Sequence, residues 1–289
     1  MNTRISAAIL TVLAGAAVLA PTASHAGNIG YVTGQTCSGP GDKTAAITAA
    51  GHTPVAIGAI TPASLSGLSA LIVESCGSYA NNADINAAVN GGMGLLLSDW
   101  SPAAGTGTQL PGTPAVSYVY NGCIETSNFP AGSPAAEGPG GTLTDTSLDG
   151  GNCSAHGYMS GALPAGVQAL TTTDDSPSQS ISLLYQHGAG TVVYAPLPWS
   201  WFLPGGTGQD NAAAPGIRAF MINSLALVAG EGVLTTCASE GYTGTKLLWC
   251  QKICESNLEG AALDSWIHRW INRYRDLPYC AMEEAPQPE

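Results

Sequence analysis

Short apolar runs alternate with alanine-rich stretches and glycines up to about residue 230. The run 28–33 (NIGYVT) predicts a strand, 43–50 a short helix stopped at Gly51, and 53–57 a second strand. Leu65 and Leu68 lead into a third strand at 70–74 (ALIVE). A helix is predicted over 83–90, stopped by Gly91 and Gly92, and a fourth strand over 94–98 (GLLLS). Further along, 181–186 and 191–195 (TVVYA) read as strands. The stretch 213–229 reads as a helix whose Phe220, Ile222, Leu225, Leu227 and Val228 form a broad apolar face. Continuous apolar strands joined by helices imply an α/β fold, a mostly parallel sheet with helices on both faces. Residues 101–167 are rich in Gly, Pro, Ser and Thr and hold two cysteines, which predicts an ordered, disulfide-stapled insertion.

Beyond residue 230 the pattern changes. Thr243 is placed to cap a helix over 245–255, and a second helix is predicted over 261–275 and ended by Pro278. In the second helix Leu263, Trp266, Ile267, Trp270, Ile271 and Tyr274 form an amphipathic stripe. Charge changes at the same place. Residues 27–230 carry two bases and eleven acids, whereas 231–289 carry five bases and nine acids in a much shorter stretch. The break coincides with Gly230-Glu231-Gly232 and divides the chain into domains 27–230 and 231–289, with an acidic tail at 283–289 expected to be disordered.

The first 26 residues read as a secretory signal: Arg4, then an apolar stretch 5–20, then Ser24-His25-Ala26. That stretch is shorter than the roughly 20 residues that span a bilayer. Cleavage is expected to leave a secreted or periplasmic product with no integral membrane segment. Export gives the eight cysteines, 37, 76, 123, 153, 237, 250, 254 and 280, a disulfide reading. Cys37–Cys76 and Cys123–Cys153 are nearest in sequence, although spacing leaves the two other connectivities open. Cys250 and Cys254 lie one helical turn apart and leave the helix nearly parallel. They are expected to pair with Cys237 and Cys280, one each, stapling a helical hairpin too small to bury a sufficient core alone.

Twenty acids against eight bases, a net charge of −12, provide no basic footprint for nucleic acid and repel anionic lipid. No motif calls for a cofactor.

Three segments carry a family likeness: Leu65-x-x-Leu68-x-Ala70-Leu-Ile-Val73, Gly91-Gly92-Met93-Gly94-Leu95-Leu96-Leu97, and Gly188-Ala189-Gly190-Thr191-Val192-Val193-Tyr194. With the final helix, they give residues 27–230 an order of elements that resembles the class I glutamine amidotransferase-like group. The resemblance implies a flavodoxin-like fold. It does not carry the amidase chemistry, which needs a cysteine in a glycine-flanked elbow and a later His-x-Glu. Here the strand ends Leu97-Ser98-Asp99-Trp100, and no His-x-Glu occurs.

The chain offers few groups for chemistry. Cys76 follows a strand, and with His156 or His187 it would make a thiolate pair, but a disulfide to Cys37 would consume it. Ser98 would be a nucleophile with Asp99 and His187 recruited from strand ends, but Leu97 and Asp99 do not form a strained elbow. His187 has no second ligand at metal spacing. Asp145, Asp149, Asp174 and Asp175 lack the spacing of a calcium loop. Cys250, Cys254 and His268 are zinc-type ligands, yet export favours disulfides. No metal is expected.

The aromatic run Trp199-Ser200-Trp201-Phe202 follows the strand 191–195 and leaves the sheet at its carboxyl end, where open α/β sheets bind ligands. Trp100 follows another strand to the same edge. These four aromatics are expected to contact a glycan or a protein, unless they form an apolar plug. Arg269, Arg273 and Arg275 on the last helix are a second candidate surface for a partner. The expected function is non-catalytic recognition in the envelope or outside the cell. The alternatives are a hydrolase at the same edge and a structural envelope component.

Overall fold

A computed structural model of the chain describes residues 26–34, 39–75, 82–102, 105–151, 153–174, 176–230, 237, 242–254, 258 and 260–278. The signal segment, Cys37, Cys76, Cys280, Asp175 and the acidic tail lie outside the described residues.

Five strands run parallel, in the spatial order β2 (Thr53–Ile57), β1 (Asn28–Val32), β3 (Ala70–Ser75), β4 (Gly94–Asp99) and β9 (Gly190–Ala195). The apolar runs produce this arrangement because β3, β4 and β9 are buried along their whole length. Alternate residues serve opposite faces. Ile72 and Leu96 join a cluster with α1 (Lys43–Ala49) and α5 (Ala214–Val228), while Leu71, Val73, Leu95 and Leu97 join one with α3 (Asn82–Asn90). Gly94 is required where α5 crosses the start of β4, because a Cβ there would lie 1.9 Å from the Val228 carbonyl oxygen. A short helix absent from the sequence reading, α2 (Pro62–Leu65), starts on Thr61 in a capping box with Ser64.

The sheet departs from expectation on its other side. Beyond β9 it continues antiparallel through β8 (Gln179–His187), β6 (Ala155–Ser160) and β5 (Tyr118–Ile124), with β7 (Val167–Thr172) also paired to β8. The strand predicted at 181–186 is therefore antiparallel, and the 101–167 insertion, expected to be ordered, supplies the two strands β5 and β6 that the sequence did not predict. The insertion is tied down by polar side chains. Asn223 Oδ1 of α5 accepts from Gly140 N–H at 2.7 Å, and its Nδ2 donates to the Ala135 and Gly141 carbonyls. Asp149 and Asp145 accept from the backbone N–H of Ser127 and Phe129, each at 3.0 Å. Cys123–Cys153 closes the staple.

The C-terminal residues form α6 (Gly244–Cys254) and α7 (Gly260–Tyr274). Cys237 is bonded to Cys250, and Cys254 is also disulfide-bonded, so these three neighbouring sulfurs are not free as thiolates for zinc. His268 is exposed and outside that cluster. Trp270 is fully buried, but Ile271 is 41% exposed. The stripe is narrower than predicted because α7 has one short helix to cover it. Lys246 Nζ sits 4.6 Å from the Tyr242 ring, 5.4 Å from Trp270 and 5.3 Å from Tyr274, and pairs with Asp276 at 2.8 Å. Among the described residues no helix is long and apolar enough to cross a membrane.

Candidate functional site

The carboxyl ends of β3 and β4, beside that of β9, carry Glu74, Ser75, Ser98 and Asp99, all buried. Three of these groups are engaged in hydrogen bonds or an ion pair. Glu74 pairs with Lys43 Nζ at 2.7 Å and accepts from Ser200 N–H at 3.1 Å. Ser98 Oγ donates to the Leu197 carbonyl. Asp99 accepts from Tyr194 Oη and from Ser101 N–H, both at 3.1 Å. Ser98 and Glu74 hold the segment after β9 down onto the sheet, and Asp99 ties β4 to β9 and to its own following turn.

That loop contains a one-turn helix, α4 (Trp199–Phe202). The turn splits the expected binding set. Trp199 (1% exposed) and Phe202 (0%) point into the core, where Trp199 packs on Phe220 at 5.6 Å. They are the apolar plug, and their expected place at the ligand edge is corrected. Trp201, one residue away on the same turn, remains half-buried. The chain 204–208 wraps its indole so closely that a Cβ on Gly208 would lie 2.2 Å from the ring.

Trp201 and Trp100 have ring centroids 6.0 Å apart, Trp100 and His156 4.5 Å, and His156 and Tyr120 6.5 Å at an interplanar angle of 14°. The result is a ladder of four rings running from the plug to β5. It is half-buried at Trp201 and Trp100, while Tyr120 is 55% exposed. His156 is 4% exposed, and its Nδ1 lies 2.9 Å from the Gly122 carbonyl. A carbonyl only accepts, so Nδ1 carries the proton and Nε2 holds the lone pair. Nε2 is buried without a hydrogen-bond partner. Burial holds the imidazole below its usual pKa range, opposed in part by the bond to Gly122. The sequence reading placed Trp100 and Trp201 at this edge but took His156 only as a possible partner for Cys76. It missed Tyr120 because β5 was not recognised as a strand.

The hydrolase set is not brought together among the described residues. His187 pairs with Gly190 at the start of β9, whereas Ser98 pairs with Ala195 at its end. Five residues of strand, roughly 16 Å, separate the two levels. Cys76 lies outside the described residues. Arg269 and Arg273 lie over rings of their own module, Arg269 5.3 Å from Trp266 and Arg273 5.5 Å from Trp249. Arg275 is exposed after α7.

No protein-family model and no curated protein sequence matches the chain. Solved structures similar to it include two cytoplasmic proteins of Salmonella typhimurium, 12% and 11% identical, each with a TM-score of 0.46. They cover 70% of this chain and 98% and 99% of their own. A ThuA-like protein of Parabacteroides merdae is 11% identical with a TM-score of 0.43, covering 73% of this chain and 93% of that one. At TM-scores below 0.5 these likenesses carry no argument about fold or activity.

Proposed function

We propose that this is an exported, non-catalytic recognition protein that binds a glycan on the rings of Trp201, Trp100 and His156, with the exposed Tyr120 at the outer end of the ladder. One observation carries the reading. A partly exposed series of aromatic faces stands at the carboxyl edge of the sheet, where the buried carboxylates and the Ser98 hydroxyl are engaged with other groups of the chain. Flat rings offer stacking faces to the apolar side of a pyranose, and such faces hold ligand without reacting with it. The parallel order β2-β1-β3-β4-β9 is read as a flavodoxin-like core of the amidotransferase-like kind, whose ligand edge is this one. Residues 27–230 and 231–289 are read as two domains. Export rests on the signal-like start of the sequence, and the disulfides suit a non-reducing compartment.

The test is a glycan array probed with the disulfide-bonded chain and with Trp100→Ala and Trp201→Ala, with released sugars assayed in parallel. Each substitution is expected to weaken binding roughly tenfold, the loss of one good ring contact, with no sugar released. Turnover would make the edge a hydrolase site. Absence of binding to every glycan would refute the reading and turn attention to a protein partner.

A further inference from the structure

Within the ring ladder, His156 has a property its neighbours lack. Its Nδ1 proton is committed to the Gly122 carbonyl at 2.9 Å, and Nε2, an acceptor, is buried with no partner. An acceptor held out of water and left unpaired costs stability, and nearly all buried polar atoms in folded proteins avoid that state. Two rings flank the imidazole, Trp100 packed against it at 4.5 Å and Tyr120 standing farther off at 6.5 Å. They differ in freedom. Trp100 is half-buried and continues the β4 ladder, its N–H donating to the Ser75 carbonyl at 2.9 Å. Tyr120 is 55% exposed on β5, the last strand of the sheet order, and the pairing of β5 with β6 shifts register between Tyr120 and Ile124. Tyr120 is thus the ring able to swing aside, and it lies nearly parallel to the imidazole, as a stacked ligand would.

We infer, resting on the recognition reading above, that His156 determines specificity. When Tyr120 swings off the imidazole, Nε2 accepts a hydrogen bond from a hydroxyl or amino group of the glycan, which selects neutral or amino-bearing pyranoses over uronate and sulfated ones. A carboxylate or sulfate group set against Nε2 offers it no proton and adds a charge, whereas a hydroxyl or amino group in the same place bonds it. The surrounding charge acts in the same direction. No Lys or Arg occurs from residue 44 to 217. At the ends of that stretch, Lys43 is buried against Glu74, and Arg218 donates to the Phe202 and Gln209 carbonyls. A cleft of about 320 Å³ begins at Asn121, beside Tyr120, and is lined by Glu125, Tyr158, Asp174 and Gln179 without a basic residue. An anionic chain laid along the ladder meets carboxylates and no cation in that cleft. Burial keeps the imidazole neutral near pH 7, which preserves the acceptor.

The experiment compares wild type, His156→Phe, His156→Gln and Tyr120→Ala on an array of neutral, amino-bearing, uronate and sulfated oligosaccharides, with melting temperatures measured alongside. Neutral or amino-bearing oligosaccharides should bind and uronate and sulfated ones should not. His156→Phe keeps a ring in the ladder but no acceptor, and should lose at least tenfold in affinity. His156→Gln restores an acceptor oxygen and should recover part of it at a similar melting temperature, which separates ligand contact from folding. Tyr120→Ala removes the cover and should bind several-fold tighter. Affinity within twofold of wild type for His156→Phe would overturn the inference. So would a loss in Tyr120→Ala as large as that in Trp100→Ala, or preferential binding of uronates. If Trp100→Ala abolishes binding and His156→Phe does not, the specificity role fails and the recognition reading stands. Absence of binding by the wild type overturns both.

Discussion

Glu74→Gln tests whether the strand-end carboxylates serve to hold the loop that carries the ladder. Glu74 and Lys43 meet at 2.7 Å, with side chains 0% and 7% exposed, so neither charge has water to fall back on. Removing one partner of a buried ion pair leaves the other uncompensated, at a cost of about 3–5 kcal/mol. Glutamine keeps an oxygen for the Ser200 N–H that now donates at 3.1 Å, which places the expected loss near 3 kcal/mol. A loss of that size is a large part of a typical domain stability of about 5–15 kcal/mol. Replacing both partners, as Lys43→Met/Glu74→Leu, removes the stranded charge and should cost much less than either single change. The measurement is urea unfolding followed by tryptophan fluorescence, with all four corners of the cycle compared. Because Ser200 precedes Trp201, the single variant should also weaken glycan binding. A cost below about 1 kcal/mol for Glu74→Gln, or a double variant as unstable as the two singles summed, would refute the assigned role of the pair.

Two other outcomes are expected. Burial holds the folded-state pKa of His156 below its unfolded value of about 6.5, so the unfolded chain binds the extra proton. The contribution of this group to stability is therefore complete above pH 6.5 and is lost as pH falls below it. Melting temperatures between pH 7.5 and 5 should fall less steeply in His156→Phe than in wild type, and parallel curves would contradict the assignment. Opening Cys123–Cys153, which closes a separation of 30 residues, by the double serine substitution should cost about 2–4 kcal/mol in chemical unfolding. It should also lower ligand affinity, since the bond anchors β5, whose Gly122 carbonyl fixes the His156 ring through Nδ1; unchanged affinity would detach β5 from the site.

The parallel half of the sheet was legible because its strands are buried on both faces and read as unbroken apolar runs, as in Ala70-Leu71-Ile72-Val73 and Leu95-Leu96-Leu97. The antiparallel half was not. The β5 segment Tyr118-Val119-Tyr120-Asn121-Gly122 is exposed from Val119 to Gly122 and sits in a glycine- and proline-rich stretch, so its pattern resembles a loop. β6 is interrupted by Gly157, where a Cβ would meet Pro102 and the Val119 carbonyl at 2.7 Å, a constraint visible only in three dimensions. The aromatic run was found, but composition does not separate Trp199 from Trp201. One turn of helix sends the first into the core and leaves the second at the edge, and that choice depends on Phe220, about twenty residues later. The C-terminal staple was legible from covalent geometry: cysteines four residues apart on a helix do not readily bridge each other, and Cys250 indeed pairs with Cys237.

The placement of polar groups gives the edge its proposed character. A catalytic edge needs a nucleophile and a base whose lone pairs are free and close enough to exchange a proton. Here Ser98 Oγ is turned to a carbonyl, Asp99 to a tyrosine hydroxyl and a backbone N–H, and Glu74 to a lysine and another backbone N–H. Two of these contacts, Ser98 to Leu197 and Glu74 to Ser200, fix the segment after β9, and the others tie β3 to α1 and β4 to β9 and to its own following residues. Among the described residues, the buried edge atoms without a hydrogen-bond partner include Ser200 Oγ and Trp199 Nε1 of α4 and His156 Nε2, and the last of these stands among ring faces. A single acceptor set among stacking faces can orient a ligand ring and discriminate its substituents. Among the described residues, Ser98 and His187 stand about 16 Å apart along the sheet, so recognition by the ring faces is the reading this geometry supports.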